Sequence, residues 1–153
     1  KPGEVVIQTY RPEHYSIIRA ASQDYEAFYK EEILYRELAG YPPAAHMMAV
    51  LITSPNEKKG EGLAGEITRR IRELTGGGKT IAAQPSGFPA VKIIGPAKAS
   101  IGKINDVYRF VIYCKSADYR QLTVIKDKIE QYVGTLMPGE ESVQFDFNPI
   151  NSY

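Results

Sequence analysis

Cations and rings interleave between residues 95 and 110. The run is Gly95-Pro96-Ala97-Lys98-Ala99-Ser100-Ile101-Gly102-Lys103-Ile104-Asn105-Asp106-Val107-Tyr108-Arg109-Phe110. A polyanion needs cations spaced along a backbone, and an exposed base needs an aromatic face to stack on. Lys98, Lys103, Arg109 and Lys115 are of the right type and spacing to neutralise phosphates. Tyr108 or Tyr113 would supply the stacking face. The same spacing also describes a twisted hairpin with a solvated cationic face, and on spacing alone that plainer reading is the commoner one.

The elements that must position these side chains can be read from periodicity. Val5 to Thr9 reads as a short β-branched strand. Glu13 to Leu38 reads as helical, broken at most once, and Gly40 with Pro42-Pro43 stops it. A domain boundary is placed there, giving 1–44 and 45–153. His46 to Thr53 is an apolar run of strand length. Ser54-Pro55-Asn56 starts a helix in which Leu63, Ile67, Ile71 and Leu74 share one face, and Gly76-Gly77-Gly78 ends it. Pro89 to Ile94 is a strand that ends in a Gly-Pro turn. Val107 to Lys115 is a strand with Tyr108, Phe110, Ile112 and Cys114 on one side and Arg109, Val111, Tyr113 and Lys115 on the other. A helix follows over Asp118 to Val133, then a strand over Ser142 to Phe147.

The order β-α-β-β-α-β, with one apolar stripe per helix, puts both helices on one sheet face. The expected fold is α+β, a ferredoxin-like sandwich preceded by a strand-and-helix appendage. This arrangement leaves the other sheet face open, with Arg109, Tyr113 and Lys115 on it.

Charge is unevenly spread. Residues 92–128 hold eight Lys or Arg against three Asp, a net of +5, whereas the chain as a whole carries +1. The tail from Ile129 has four acids and no Lys or Arg. A local basic surface is the footprint of a phosphate binder, here of modest size. Lys92, Lys126 and Lys128 join it by charge alone.

Other chemistry is poorly served. Thr75-Gly76-Gly77-Gly78-Lys79-Thr80 mimics the end of a phosphate-binding loop, but Glu73 stands where that loop needs its first Gly, and the glycines follow a helix instead of preceding one. Cys114 is the single cysteine, so neither a disulfide nor a cysteine zinc site can form within the chain. His14 and His46 have no matched nucleophile or metal-ligand spacing. No catalytic residue is assigned. No apolar run spans a bilayer, and the composition suits a cytoplasmic protein. Of eleven tyrosines, six lie in the first 44 residues, a pattern that suits packing between domains.

Segment 95–110 resembles the C-terminal domain of the PriA family of replication-restart helicases (primosomal protein N′). The family's pattern there is Gly-Pro-x-x-Ala-x-Ile-x-Lys-Ile, a short turn, then Tyr-Arg-aromatic. Gly3-Glu4-Val5-Val6-Ile7-Gln8-Thr9-Tyr10-Arg11-Pro12 resembles the last strand of the second, RecA-like helicase lobe. Asp24-Tyr25-Glu26-Ala27-Phe28-Tyr29 and Glu37-Leu38-Ala39-Gly40-Tyr41-Pro42-Pro43 resemble the helices after it. Phe145-Asp146-Phe147-Asn148-Pro149 resembles an Asp-x-Asp-Pro ending, with Asn148 in place of the second Asp. The likeness is weakest over 54–90.

The resemblance implies a non-catalytic piece of a 3′-to-5′ DNA helicase, excised upstream of Lys1 from an engine that would itself need ATP, Mg²⁺ and zinc. This piece would hold no cofactor. It would bind forked or single-stranded DNA without regard to sequence, and meet the single-stranded DNA-binding protein and other primosome proteins. Lys103 and Arg109 fall inside the matched motif. Two alternatives stand beside DNA binding. One is a docking module in which Arg120 and Gln121 hold an acidic tail. The other is a scaffold for the helicase lobes.

Overall fold

The computed structural model describes residues 3–76, 91–136, 139–150 and 153. The chain divides into two compact units, Lys1–Ala39 and Gly40–Tyr153.

In the first unit, α1 (Tyr15–Ala21) and α2 (Tyr25–Ala39) pair as a short helical hairpin. They cover the stretch read as helical, Glu13 to Leu38, with the one break that reading allowed. The break falls at Ser22-Gln23-Asp24, where Gln23 adopts a φ of 55°, a left-handed residue that ends α1. Tyr15 stacks on Tyr35 and on Phe28, with centroids 5.2 and 6.2 Å away, and its hydroxyl donates to Glu32. Neither helix buries a residue fully. Val5 to Thr9 is not a strand: it pairs with nothing among the described residues, and Val5 is 86% exposed. β-branched composition favours extended backbone, but a strand exists only where another strand takes its N–H and C=O groups.

The second unit is a four-stranded antiparallel sheet in the order β2-β3-β1-β4. Its elements are β1 (His46–Ser54), α3 (Glu57–Leu74), β2 (Lys92–Ile104), β3 (Val107–Ser116), α4 (Tyr119–Leu136) and β4 (Ser142–Phe147). This is the ferredoxin-like order. Both helices lie on one face, where Ile67 and Ile71 of α3 and Leu122, Ile125 and Ile129 of α4 meet Val50, Ile52, Phe110 and Ile112. Each such aliphatic chain, fully buried, contributes roughly 1.5–3 kcal/mol.

Caps set the helix starts. The Asn56 side chain accepts the Lys59 N–H at 3.1 Å, and the Asp118 side chain accepts the Arg120 N–H at 2.9 Å. Gly60 lets the first turn of α3 press onto the sheet. A Cβ there would come within 2.8 Å of the Phe110 ring and 3.1 Å of the Ser54 Cβ.

β2 differs from its expected form. It continues past Gly95-Pro96 to Ile104, with register shifts between Ile94 and Ala97 and between Lys98 and Lys103. β2 is an edge strand, so the missing Pro96 N–H costs no ladder bond. Gly95 takes a φ of +104°, and a Cβ there would meet the Val111 carbonyl oxygen at 2.8 Å. The β2–β3 turn is Asn105-Asp106, with φ of 48° and 64°, the two left-handed residues of a two-residue hairpin loop. At the end of β4, Asn148 also has a positive φ, 50°. Its N–H donates to the Met47 carbonyl at 2.7 Å, and its side-chain oxygen accepts the Met47 N–H at 2.9 Å.

Candidate nucleic-acid interface

Alternation along β3 sends the expected site residues to two sides of the sheet. Lys98 is registered opposite Phe110, and Lys103 opposite Tyr108. Phe110 and Tyr108 pack with the helix-side core, so Lys98, Lys103 and Tyr108 share the helix-bearing side. Arg109, Tyr113 and Lys115 point the other way. The six residues are therefore not one surface.

On the helix side, each lysine already has an anion. The Lys98 Nζ lies 2.5 Å from Glu57 in the first turn of α3. The Lys103 Nζ lies 2.8 Å from Asp106 in the turn and 4.8 Å from the Tyr108 ring centroid. The hydrogen bond to Glu57 raises the Lys98 pKa, and that to Asp106 raises the Lys103 pKa. Lys103 in turn holds the Asp106 carboxyl below its ordinary value. Both lysines stay fully charged at neutral pH. Lys58 and Lys59 are exposed beside Glu57. Sequence reasoning missed Glu57, whose partner lies 41 residues away. The i,i+3 spacing of Lys103 and Asp106 across a tight turn was the legible clue.

The opposite face is not open, which corrects the expectation from topology. Ala49 is 0%, Leu51 7% and Val111 4% exposed. Tyr153 lies across this face. Its backbone N–H donates to the Tyr113 hydroxyl at 3.0 Å, and its own hydroxyl donates to Asp146 at 2.6 Å. Tyr113 and Asp146 are the residues registered on either side of Ala49. Lys115 is 6% exposed, with its Nζ 3.3 Å from the Tyr41 ring centroid. The expectation that Lys115 stands on an open face is thereby corrected too: a buried cation finds a ring where it lacks water. Arg109 is half-buried and donates to the Ile101 carbonyl at 3.3 Å. It lines a cavity of about 680 Å³ with Ile101, Asp146, Phe147 and Tyr153. The signal for a covered face was in β1 itself. Met47-Met48-Ala49-Val50-Leu51-Ile52 is apolar without alternation, as in strands buried on both sides.

Arg120 and Gln121 open α4. Arg120 is exposed, while the Gln121 side-chain oxygen accepts the Ser116 hydroxyl at 2.8 Å. Tyr119 stands between His46 and Phe147, with ring centroids 5.4 and 5.2 Å away. Burial pushes the Cys114 thiol up to about 12. Of the loop-like run 75–80, residues 77–80 lie outside the described residues. Among the described residues no group of three or more His, Cys, Asp or Glu could hold a metal ion. No helix among them is long and apolar enough to cross a membrane.

The hairpin, its Gly-Pro entry and its Tyr-Arg exit occupy the positions of the PriA-like pattern. A family model described as the primosomal protein N C-terminal domain matches residues 37–150. The chain belongs to that family. It is 31% identical over 150 residues to the replication restart protein PriA of Bacillus subtilis, covering 97% of this chain and 17% of that protein. Against the Synechocystis protein of the same name the identity is 28% over 151 residues, covering 99% and 16%. Against that of Borreliella burgdorferi it is 26% over 147 residues, covering 96% and 20%. The chain thus spans about a fifth or less of the length of the curated relatives it matches. The PriA C-terminal likeness takes in the whole sheet and both of its helices, so the hairpin and its flanking acids all lie inside the matched region.

Proposed function

We propose that residues 40–153 form a sequence-independent DNA-binding domain of a PriA-like replication-restart protein, and that forked or single-stranded DNA is read through its phosphates. The observation that carries this reading is the pair Lys98 and Lys103, charged and exposed along one sheet edge, in a family whose relatives are replication restart proteins. Phosphate contacts of this kind position a duplex or strand without reading bases. Tyr108 gives the edge an aromatic surface beside Lys103. Arg109 and Tyr113 lie on the far side, where Arg109 donates to the Ile101 carbonyl and the Tyr113 hydroxyl accepts the Tyr153 N–H. Lys115, beneath Tyr41, takes no part. In the intact protein, the helicase activity, ATP, Mg²⁺ and zinc would belong to parts of the relatives' length that this chain does not span.

The test is a salt titration of the chain binding to forked, duplex and single-stranded DNA. Affinity should fall steeply with salt and vary little with sequence. A flat salt dependence, or no binding to any of the three, would remove the reading.

A second reading has its own observation. The exposed Arg120 beside the aromatic row of His46, Tyr119 and Phe147 suits an acidic tail with apolar side chains, such as a single-stranded DNA-binding protein would offer. Arg120→Ala should abolish capture of an acidic tail peptide without changing DNA affinity. Equal loss of both would merge the two sites.

A further inference from the structure

We infer that Glu57 and Asp106 occupy, in the free protein, the places at Lys98 and Lys103 that DNA phosphates take on binding, so that these two carboxylates set the affinity of the interface. The inference rests on the DNA-binding reading above and names the groups that regulate that same edge.

Two ion pairs of separate origin converge there. Glu57 comes from the first turn of α3, and Asp106 from the β2–β3 turn. Gly60 brings the first turn of α3 down onto Phe110, and Lys98 is registered opposite Phe110. That is why Glu57 reaches Lys98. The two Nζ–oxygen distances, 2.5 and 2.8 Å, are those of a charged hydrogen bond, and a phosphate oxygen offers the same acceptor. The pairs are exposed, with side-chain exposures of 63% and 41% for Lys98 and Glu57, and 44% and 95% for Lys103 and Asp106. Exposed pairs are weak enough to be exchanged. Each lysine is charged and paired before DNA arrives, and the carboxylate is the competitor that DNA must displace. Both acids also have local duties. Glu57 complements the helix N-terminus, and Asp106 fills a left-handed position. Asn tolerates that backbone as well as Asp does, so charge can be removed without changing the turn.

The test is fluorescence anisotropy of a short labelled duplex and a short labelled single strand, titrated with the full chain and its variants at several salt concentrations. Asp106→Asn and Glu57→Gln should each tighten binding about 1.5- to five-fold. Each should also steepen the salt slope, by up to about 0.9 on duplex. In a Lys103→Ala background, Asp106→Asn should bring no gain, whereas Glu57→Gln should still bring its own. Unchanged affinity in both charge variants overturns the inference. So does a gain from Asp106→Asn that persists without Lys103, because that is general repulsion of DNA by an acid. If Lys98→Ala and Lys103→Ala both bind DNA as the parent does, the DNA reading of this edge fails first and the inference falls with it. Urea midpoints equal to the parent's keep a folding defect from passing as a loss.

Discussion

The Lys103 ammonium stands 4.8 Å from the centroid of the Tyr108 ring, and the two residues face each other across the β2–β3 ladder. The ring packs against the helix-side core below and carries a cation beside it. This contact ties the charged edge of the domain to its core. Alternation along β3 puts Tyr108, which sequence spacing offers as a stacking ring, on the face of Phe110 and not of Arg109.

Lys103→Ala should weaken DNA binding about equally on every sequence. Removing one phosphate-neutralising cation lowers the magnitude of the salt slope of log K by about 0.9 on duplex and about 0.7 on single strands. Arg109→Ala should leave the slope nearly unchanged, because its guanidinium faces the opposite side and is tied to the Ile101 carbonyl. Salt titrations of the two variants side by side check this. A slope that flattens with Arg109→Ala and stays with Lys103→Ala would move the interface to the other face.

Tyr108→Phe should leave stability nearly unchanged, and Tyr108→Ala should lower it by about 1–3 kcal/mol, less than the cost of a fully buried ring. If a base stacks on the ring, Tyr108→Ala should also cost about 1–3 kcal/mol on single-stranded DNA with little change in salt slope. Urea denaturation measures the first quantity and DNA titration of the folded variant the second.

Leu51→Ala should destabilise the domain by about 2–5 kcal/mol, the range for a buried leucine. On a solvated sheet face the same change would fall within about 0.5 kcal/mol. Chemical denaturation therefore decides whether the face beneath Tyr153 is covered in solution.

Cys114 should resist a water-soluble thiol reagent in the native protein and react on unfolding. Its thiol is pushed up to about 12 by burial, above the ordinary range for an unfolded thiol. The folded state therefore favours the neutral thiol. That contribution to stability is fully present below the unfolded pKa and is lost as pH rises towards the folded value. Cys114→Ala should flatten the alkaline end of the stability profile between the two. Rapid native labelling near neutral pH would contradict the burial.

The order of the sheet domain's elements, the helix starts at Ser54-Pro55-Asn56 and near Asp118, and the helix-facing side of β3 were legible in the chain, because each depends on residues within a few positions of one another. Alternation over Val107 to Lys115 settles which side chains point together wherever a strand forms. Tertiary structure decided what those directions mean. Lys115 looked solvent-facing by alternation, yet Tyr41 covers it. Lys98 looked free by spacing, yet a helix pressed down at Gly60 brings Glu57 to it. Val5 to Thr9 has strand composition and no strand partner among the described residues. Burial, ion pairing and strand formation each require a second surface, and the residues that provide it lie tens of positions away, beyond the reach of local periodicity.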